Sequence, residues 1–195
     1  MKNEHVLCVL RSELVKHFDL KAEHWKIQIS QFDDIPFSFI PRNEAEHDIS
    51  HKQLIPYTLV LNEFNQVLTY QRRGSEKRLA GLNSAGIGGH VNEDDKTDNL
   101  YGSLINGLKR ELNEEIGIAA NPDQFRLLGM INEEKTEVGH SHTGVVFCLH
   151  VNHNELIMNE EVGIYKWMNL EEIQDNKFEF WSLLSLGLLT ATEII

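Results

Sequence analysis

The run Arg110-Glu111-Leu112-Asn113-Glu114-Glu115-Ile116-Gly117-Ile118 sets three carboxylates at helical spacing. Glu111 to Glu114 is a step of three and Glu111 to Glu115 a step of four, so on a helix they are neighbours. Like charges at those steps cost a helix roughly 0.2–0.5 kcal/mol per pair. Lys109 and Arg110 offset only part of that. A hard divalent cation, Mg²⁺ or Mn²⁺, would turn the repulsion into coordination, because such ions take carboxylate oxygens, waters and substrate phosphates. It would also screen phosphate charge and lower the pKa of a bound water. Taken alone, the same residues are better read as a solvated acidic helix face.

The element that must carry them is a helix over Leu100–Ile116. Tyr101, Leu104, Ile105, Leu108, Leu112 and Ile116 recur at three and four, an apolar stripe with the carboxylates beside it. Asp98 or Asn99 can cap its start and Gly117 its end. Upstream, Gly81–Gly89 is glycine-rich and reads as a loop, ending in Ile87-Gly88-Gly89-His90-Val91. The backbone N–H groups of Gly88 and Gly89 can approach a phosphate closely, since no side chain obstructs them. His90 follows the turn and is a phosphate-contact candidate. Arg72, Arg73 and Arg78 lie near it in sequence and read either as phosphate ligands or as a solvated hairpin end. Glu160 and Glu161, between strands, are further metal-ligand candidates, or exposed loop charge.

The remaining elements follow from pattern. Tyr57–Leu61 and Val67–Arg72 predict a hairpin across Asn62–Gln66. Phe125–Asn132, Thr143–Val151 and Gly163–Met168 predict strands. Asn169-Leu170-Glu171-Glu172 predicts a capping box opening a short helix. A helix near Ser12–Phe18 and a strand near Trp25–Ile29 are expected in the first fifty residues, and a packed helix within Phe178–Ile195. Cys148, Trp167, Trp25 and Phe37 read as core. His140 and His142 share a face if their segment is a strand, a polar strand face rather than a metal site. Strands and helices in this order predict a mixed sheet flanked by helices, of the α/β (α+β) class.

Composition limits what such a site can serve. The 195 residues carry 18 Lys and Arg against 30 Asp and Glu, a net charge of −12. Charge alone therefore excludes coating a nucleic acid or an anionic membrane. An anionic substrate needs a local reversal of the field, which a bound cation supplies. Two cysteines exclude a disulfide framework. Charged residues interrupt the apolar N-terminus, and Phe178–Ile195 is too short and polar to span a bilayer. A soluble, cytoplasmic protein is the default expectation.

The run from Arg110 to Ile118 resembles the second half of the signature of the MutT-like Nudix hydrolase family, G-x5-E-x7-R-E-U-x-E-E-x-G-U with U apolar. The match to R-E-U-x-E-E-x-G-U is complete, and Ile87-Gly88-Gly89-His90-Val91 is similar to the glycine turn. Between them the chain departs: Gly89 to Arg110 is 21 residues, seven more than the signature allows, and Gly102 stands where it places its first Glu. Glu93, Asp94, Asp95 and Asp98 in the longer loop are the candidates to replace it. The resemblance spans about 55 to 175.

It implies an α/β/α sandwich and hydrolysis, by water attack, of the diphosphate linkage in a small-molecule nucleoside diphosphate derivative. It implies Glu111, Glu114 and Glu115 as catalytic metal ligands and Arg110 as a brace for them. It leaves the general base as a helix Glu or a later Glu, here Glu160 or Glu161. Residues 1–50 are expected as an extension packed on a domain of 51–195, and a homodimer through that extension is conceivable. An isopentenyl diphosphate isomerase would need a cysteine near the turn, where Asn83-Ser84-Ala85-Gly86 has none. A non-catalytic ligand sensor is the alternative, and turnover separates the two. Specificity is expected in residues 1–50, the lengthened loop and the Asn132–His142 connection.

Overall fold

The computed structural model describes residues 4–71, 81–157 and 164–192. The chain opens with strand β1 (His5–Leu10), which runs directly into helix α1 (Arg11–His17). Strand β2 (His24–Trp25), strand β3 (Ser38–Pro41) and the single-turn helix α2 (Arg42–Ala45) follow. Then come β4 (His51–Leu61), β5 (Val67–Gln71), β6 (Asn83–Ser84), β7 (Gly86–Gly88) and the long helix α3 (Leu100–Ile116). The chain continues through β8 (Arg126–Ile131), α4 (Glu137–Ser141), β9 (His142–His150), β10 (Tyr165–Met168) and α5 (Phe180–Ala191).

The ten strands among the described residues form one mixed sheet, with the path β10-β5-β4-β9-β8-β2. Its centre is β4 paired in parallel with β9, from Gln53↔His142 to Leu61↔His150. The other edge of β4 pairs with β1 over His51–Gln53 and with β7 over Tyr57–Leu59. Pro56, which has no N–H to give, sits in the gap between those two partners. Both faces of the centre are covered, so β4 and β9 read as continuous apolar runs. Val145, Phe147 and Leu149 pack with Leu104, Leu108, Leu112 and Ile116 of α3. The alternate residues Val146 and Cys148 pack with Leu184, Leu186, Leu188 and Leu189 of α5. The result is the α/β/α sandwich the sequence resemblance implied. Leu7, Val9 and Leu14 join the α3 side of the core, so β1 and α1 are continuous with it. Cys8 and Cys148 are buried free thiols, each pushed up to about 12, chiefly by burial. Among the described residues, no helix is long and apolar enough to cross a membrane.

Three sequence expectations need correction. Gly81–Gly89 is not wholly loop, because it holds β6 and β7. Gly86 and Gly88 lie against the Tyr57 ring, and a Cβ on Gly86 would fall inside it, so these glycines serve a strand crossed by an aromatic side chain. His140 and His142 do not share a strand face: α4 ends at Ser141 and only His142 enters β9. The strand expected over Trp25–Ile29 is limited to β2, since Ile29–Phe32 turns into a 3₁₀ helix.

Candidate active site

Helix α3 is placed from both ends and along one side. The Asn99 side chain caps it by accepting from Gly102 N–H at 2.7 Å. Gly117 ends it at φ 69°, the left-handed conformation a helix C-terminus favours in glycine. Its apolar stripe, Leu100, Leu104, Leu108, Leu112 and Ile116, is fully buried, at about 1.5–3 kcal/mol each. With that stripe fixed, Arg110, Glu111, Glu114 and Glu115 face a cleft of about 1550 Å³, together with Gly88, Gly89 and His90.

Glu111 is more enclosed than Glu114, its side chain 15% exposed against 55%. Burial pushes its carboxyl up, and the Arg110 guanidinium opposes that. It rests against Gly89, where a Cβ would collide with the carboxylate. A Cβ on Gly88 would lie 2.6 Å from the Pro56 carbonyl oxygen. Gly88 is therefore required by backbone packing, while Gly89 leaves room for the Glu111 carboxylate.

Arg110 uses all five of its N–H groups. Nη1 donates to Glu111 Oε1 at 2.7 Å and to Glu114 Oε2 at 3.2 Å. Nη2 donates to the His90 carbonyl oxygen at 2.7 Å and to Asp95 Oδ2 at 2.9 Å. Nε donates to Asp95, 3.2 Å from Oδ1. Burial alone would lower the Arg110 pKa, but the bonds to Asp95 and Glu111 outweigh it and raise it. Arg110 ties the glycine turn, the lengthened loop and the carboxylates into one unit.

His90 pairs with His142, Nε2 to Nε2 at 3.2 Å. His142 Nδ1 lies 2.9 Å from the Val138 carbonyl oxygen, so that nitrogen donates and Nε2 accepts from His90. Burial first, then Arg42, His142 and Arg110, push His90 down to about 3, and burial lowers His142 as well. The pair is neutral at ordinary pH and brings no positive charge to the cleft. Arg72, Arg73, Arg78, Glu160 and Glu161 lie outside the described residues.

Other residues reach the cleft without a signal in the sequence. Arg42 of α2 and Glu46 just after it enter the cleft, with the Arg42 guanidinium held by Glu4 at 2.9 Å and Glu46 at 3.0 Å. Phe180 and Trp181 come from the start of α5. Beside them the buried Glu179 Oε1 accepts from Ser84 at 2.6 Å, Tyr57 at 3.0 Å and Ser182 at 3.1 Å. These come from separate elements far apart in the chain, and no local pattern marks them.

Among the described residues, no three His, Cys, Asp or Glu side chains already converge on one point. Glu111 and Glu114 turn instead to the same Arg110 nitrogen. The donor set still suits a hard cation. Three carboxylates line one cleft, and Glu111 lies in a recess that any larger residue than Gly89 would fill.

A family model described as NUDIX domain matches residues 51–184. Protein YmaB of Bacillus subtilis is 32% identical over 158 residues, covering 76% of this chain and 76% of YmaB. The crystal structure of Tm1382, assigned as a Nudix hydrolase, superposes with a TM-score of 0.81 at 29% identity, covering 97% of this chain and all of that one. The bifunctional NMN adenylyltransferase/ADP ribose pyrophosphatase of Francisella tularensis, complexed with AMP and a Mn ion, shares the fold over 72% of this chain and 42% of its own. Its TM-score is 0.53 at 17% identity. With the signature helix, the glycine turn and the sandwich in place, the chain belongs to the Nudix family as a MutT-like member.

Proposed function

We propose that the protein hydrolyses the diphosphate linkage of a nucleoside diphosphate derivative, with Mg²⁺ or Mn²⁺ held by Glu111, Glu114 and Glu115. The observation that carries this reading is the meeting of those carboxylates with Gly88, Gly89 and Arg110 in one cleft. A divalent cation bound there would screen the phosphates and lower the pKa of a water. The water oxygen attacks one phosphorus, the bridging P–O bond breaks, and two phosphate-bearing products leave. A carboxylate takes the water's proton, either a Glu of α3 or one of Glu160 and Glu161. Arg110 spends its donors on protein acceptors and so orients Glu111 and Glu114 rather than gripping substrate. Gly88 and Gly89 offer backbone N–H groups to the phosphates, and His90 offers its Nε2–H once it turns from His142. Arg72 and Arg73 are further phosphate ligands in this reading.

AMP and Mn in the Francisella tularensis structure support a nucleotide substrate and a divalent metal. Residues 1–50 act in this reading as an extension packed on a Nudix domain of 51–195. Arg42, Glu46 and His47 of that extension line the cleft, so it helps to set which derivative fits.

The test is product release from a panel of nucleoside diphosphate derivatives with Mg²⁺ or Mn²⁺. Glu114→Gln and Glu115→Gln should each lower kcat/KM by at least about 100-fold, the scale of losing one electrostatic contact to a developing charge. Tight ligand binding with no product from any compound would instead establish a sensor.

A further inference from the structure

Gly102, at the signature's first Glu position, lies in the opening turn of α3. A Cβ there would sit 2.6 Å from Thr97 Oγ1 and 3.2 Å from the capping Asn99 Oδ1. The lengthened loop has taken that space for its own helix cap, so a Glu cannot occupy it without disturbing the cap. Resting on the metal-dependent reading above, we propose that Asp95 is the positioning residue of this site. It holds the Arg110 guanidinium edge-on, so that Nη1 alone reaches Glu111 and Glu114, and thereby sets how readily those carboxylates turn to a divalent cation.

Asp95 is built for this task. It is 5% exposed and ends the 3₁₀ turn Glu93–Asp95. Its Oδ2 accepts from Asn92 N–H at 2.8 Å, and its carbonyl oxygen accepts from Asn106 Nδ2 at 3.2 Å. The helix yields to it: a Cβ on Gly107 would stand 3.3 Å from Asp95 Oδ2 and 2.9 Å from Val91 Cγ2. Glycine inside a helix costs about 1 kcal/mol relative to alanine, and here it admits the loop. Glu93, by contrast, is 63% exposed and faces His5.

The guanidinium is a planar fork whose bidentate contacts to carboxylates are its strongest. Asp95 occupies the Nε–Nη2 edge. With that edge released, the fork can close on Glu111 and Glu114 and compete with a cation for both. Asp95→Asn keeps the size but replaces one acceptor with a donor that opposes Arg110.

Mn²⁺ binding, read from the free-ion paramagnetic resonance signal, tests this without substrate. Asp95→Asn should raise the Mn²⁺ dissociation constant by about tenfold, the lower end for changes behind a metal ligand. The Mn²⁺ concentration for half-maximal activity should rise in parallel, with excess Mn²⁺ restoring most of kcat. Asn106→Ala loosens the same turn without touching the carboxylate, and should lower the melting temperature while leaving Mn²⁺ affinity unchanged. Asp95→Glu keeps the charge and should stay within about threefold of the parent, and it carries the test should the Asn variant not fold. Equal Mn²⁺ affinity in a folded Asp95→Asn protein overturns the proposal and leaves the hydrolase reading standing, as does a loss of kcat that excess Mn²⁺ does not recover. A tenfold loss in Asp95→Glu overturns it equally. Failure of the parent protein to bind Mn²⁺ at all sinks both.

Discussion

Gly89 and Gly88 stand side by side in the turn, yet each meets a different kind of atom. At Gly89 an added Cβ collides with the end of the Glu111 side chain, which can swing away. At Gly88 it meets backbone, the Pro56 carbonyl oxygen. Gly89→Ala should therefore leave the protein folded, with its melting temperature nearly unchanged, but displace Glu111 and lower kcat by roughly 100-fold. Gly88→Ala should destabilise by about 1–3 kcal/mol in denaturant unfolding. The sequence displays the spacing of Glu111, Glu114 and Glu115, because helical steps are a local property. It does not display which acid of Glu93, Asp94, Asp95 and Asp98 reaches Arg110. That choice is made by a 3₁₀ turn and by the recess at Gly107, neither of which has a compositional mark.

Among elements, α3 is legible in its span Leu100–Ile116 and its Gly117 stop, since periodicity and terminator agree, while the sequence left its cap between Asp98 and Asn99. Strand β7 is illegible because glycine reads as loop until the Tyr57 ring that covers it is known, and β6 because two polar residues, Asn83 and Ser84, carry no strand pattern. The connection from β8 to β9 hides a charged network. Fully buried Lys52 donates to Asn132 at 2.9 Å and to the Gly139 and His142 carbonyl oxygens, and it forms an ion pair with Glu134 at 2.8 Å. Glu134 also takes Arg11 through both oxygens at 3.0 Å. Burial would raise the Glu134 carboxyl, but the bonds from Arg11, Lys52 and Asn132 outweigh it and hold it down to about 2. A carboxyl depressed in the folded state stabilises above its ordinary value of 4.5, and that stability is lost as pH falls from there toward about 2. Unfolding free energy measured against pH should fall across that window, and Glu134→Gln should flatten the fall. At neutral pH the same variant should cost about 3 kcal/mol, because it leaves the Lys52 charge poorly compensated.

At the scale of the whole molecule, one cleft gathers residues from α2, β7, α3, α4 and α5, and it is rich in acid. A cation binding the folded state alone should stabilise it by mass action. Mn²⁺ at 100 times its dissociation constant should add about 2.7 kcal/mol, seen as a rise in melting temperature that a chelator reverses and Glu114→Gln diminishes. An unchanged melting temperature at every Mn²⁺ concentration would count against the carboxylate site. The layered architecture was open to the sequence through alternating strand and helix patterns. The joining of residues 4–50 to the same sheet was not, since β1 finds its partners only in three dimensions. The parallel ladder between β4 and β9 has a consequence of its own. It unites segments separated by nearly half the chain, and no local hairpin can stand in for it. During synthesis β4 must wait, with both apolar faces exposed, until β9 has emerged. Refolding should accordingly be paced by closure of that long loop rather than by helix formation, and the waiting intermediate is the form most exposed to aggregation.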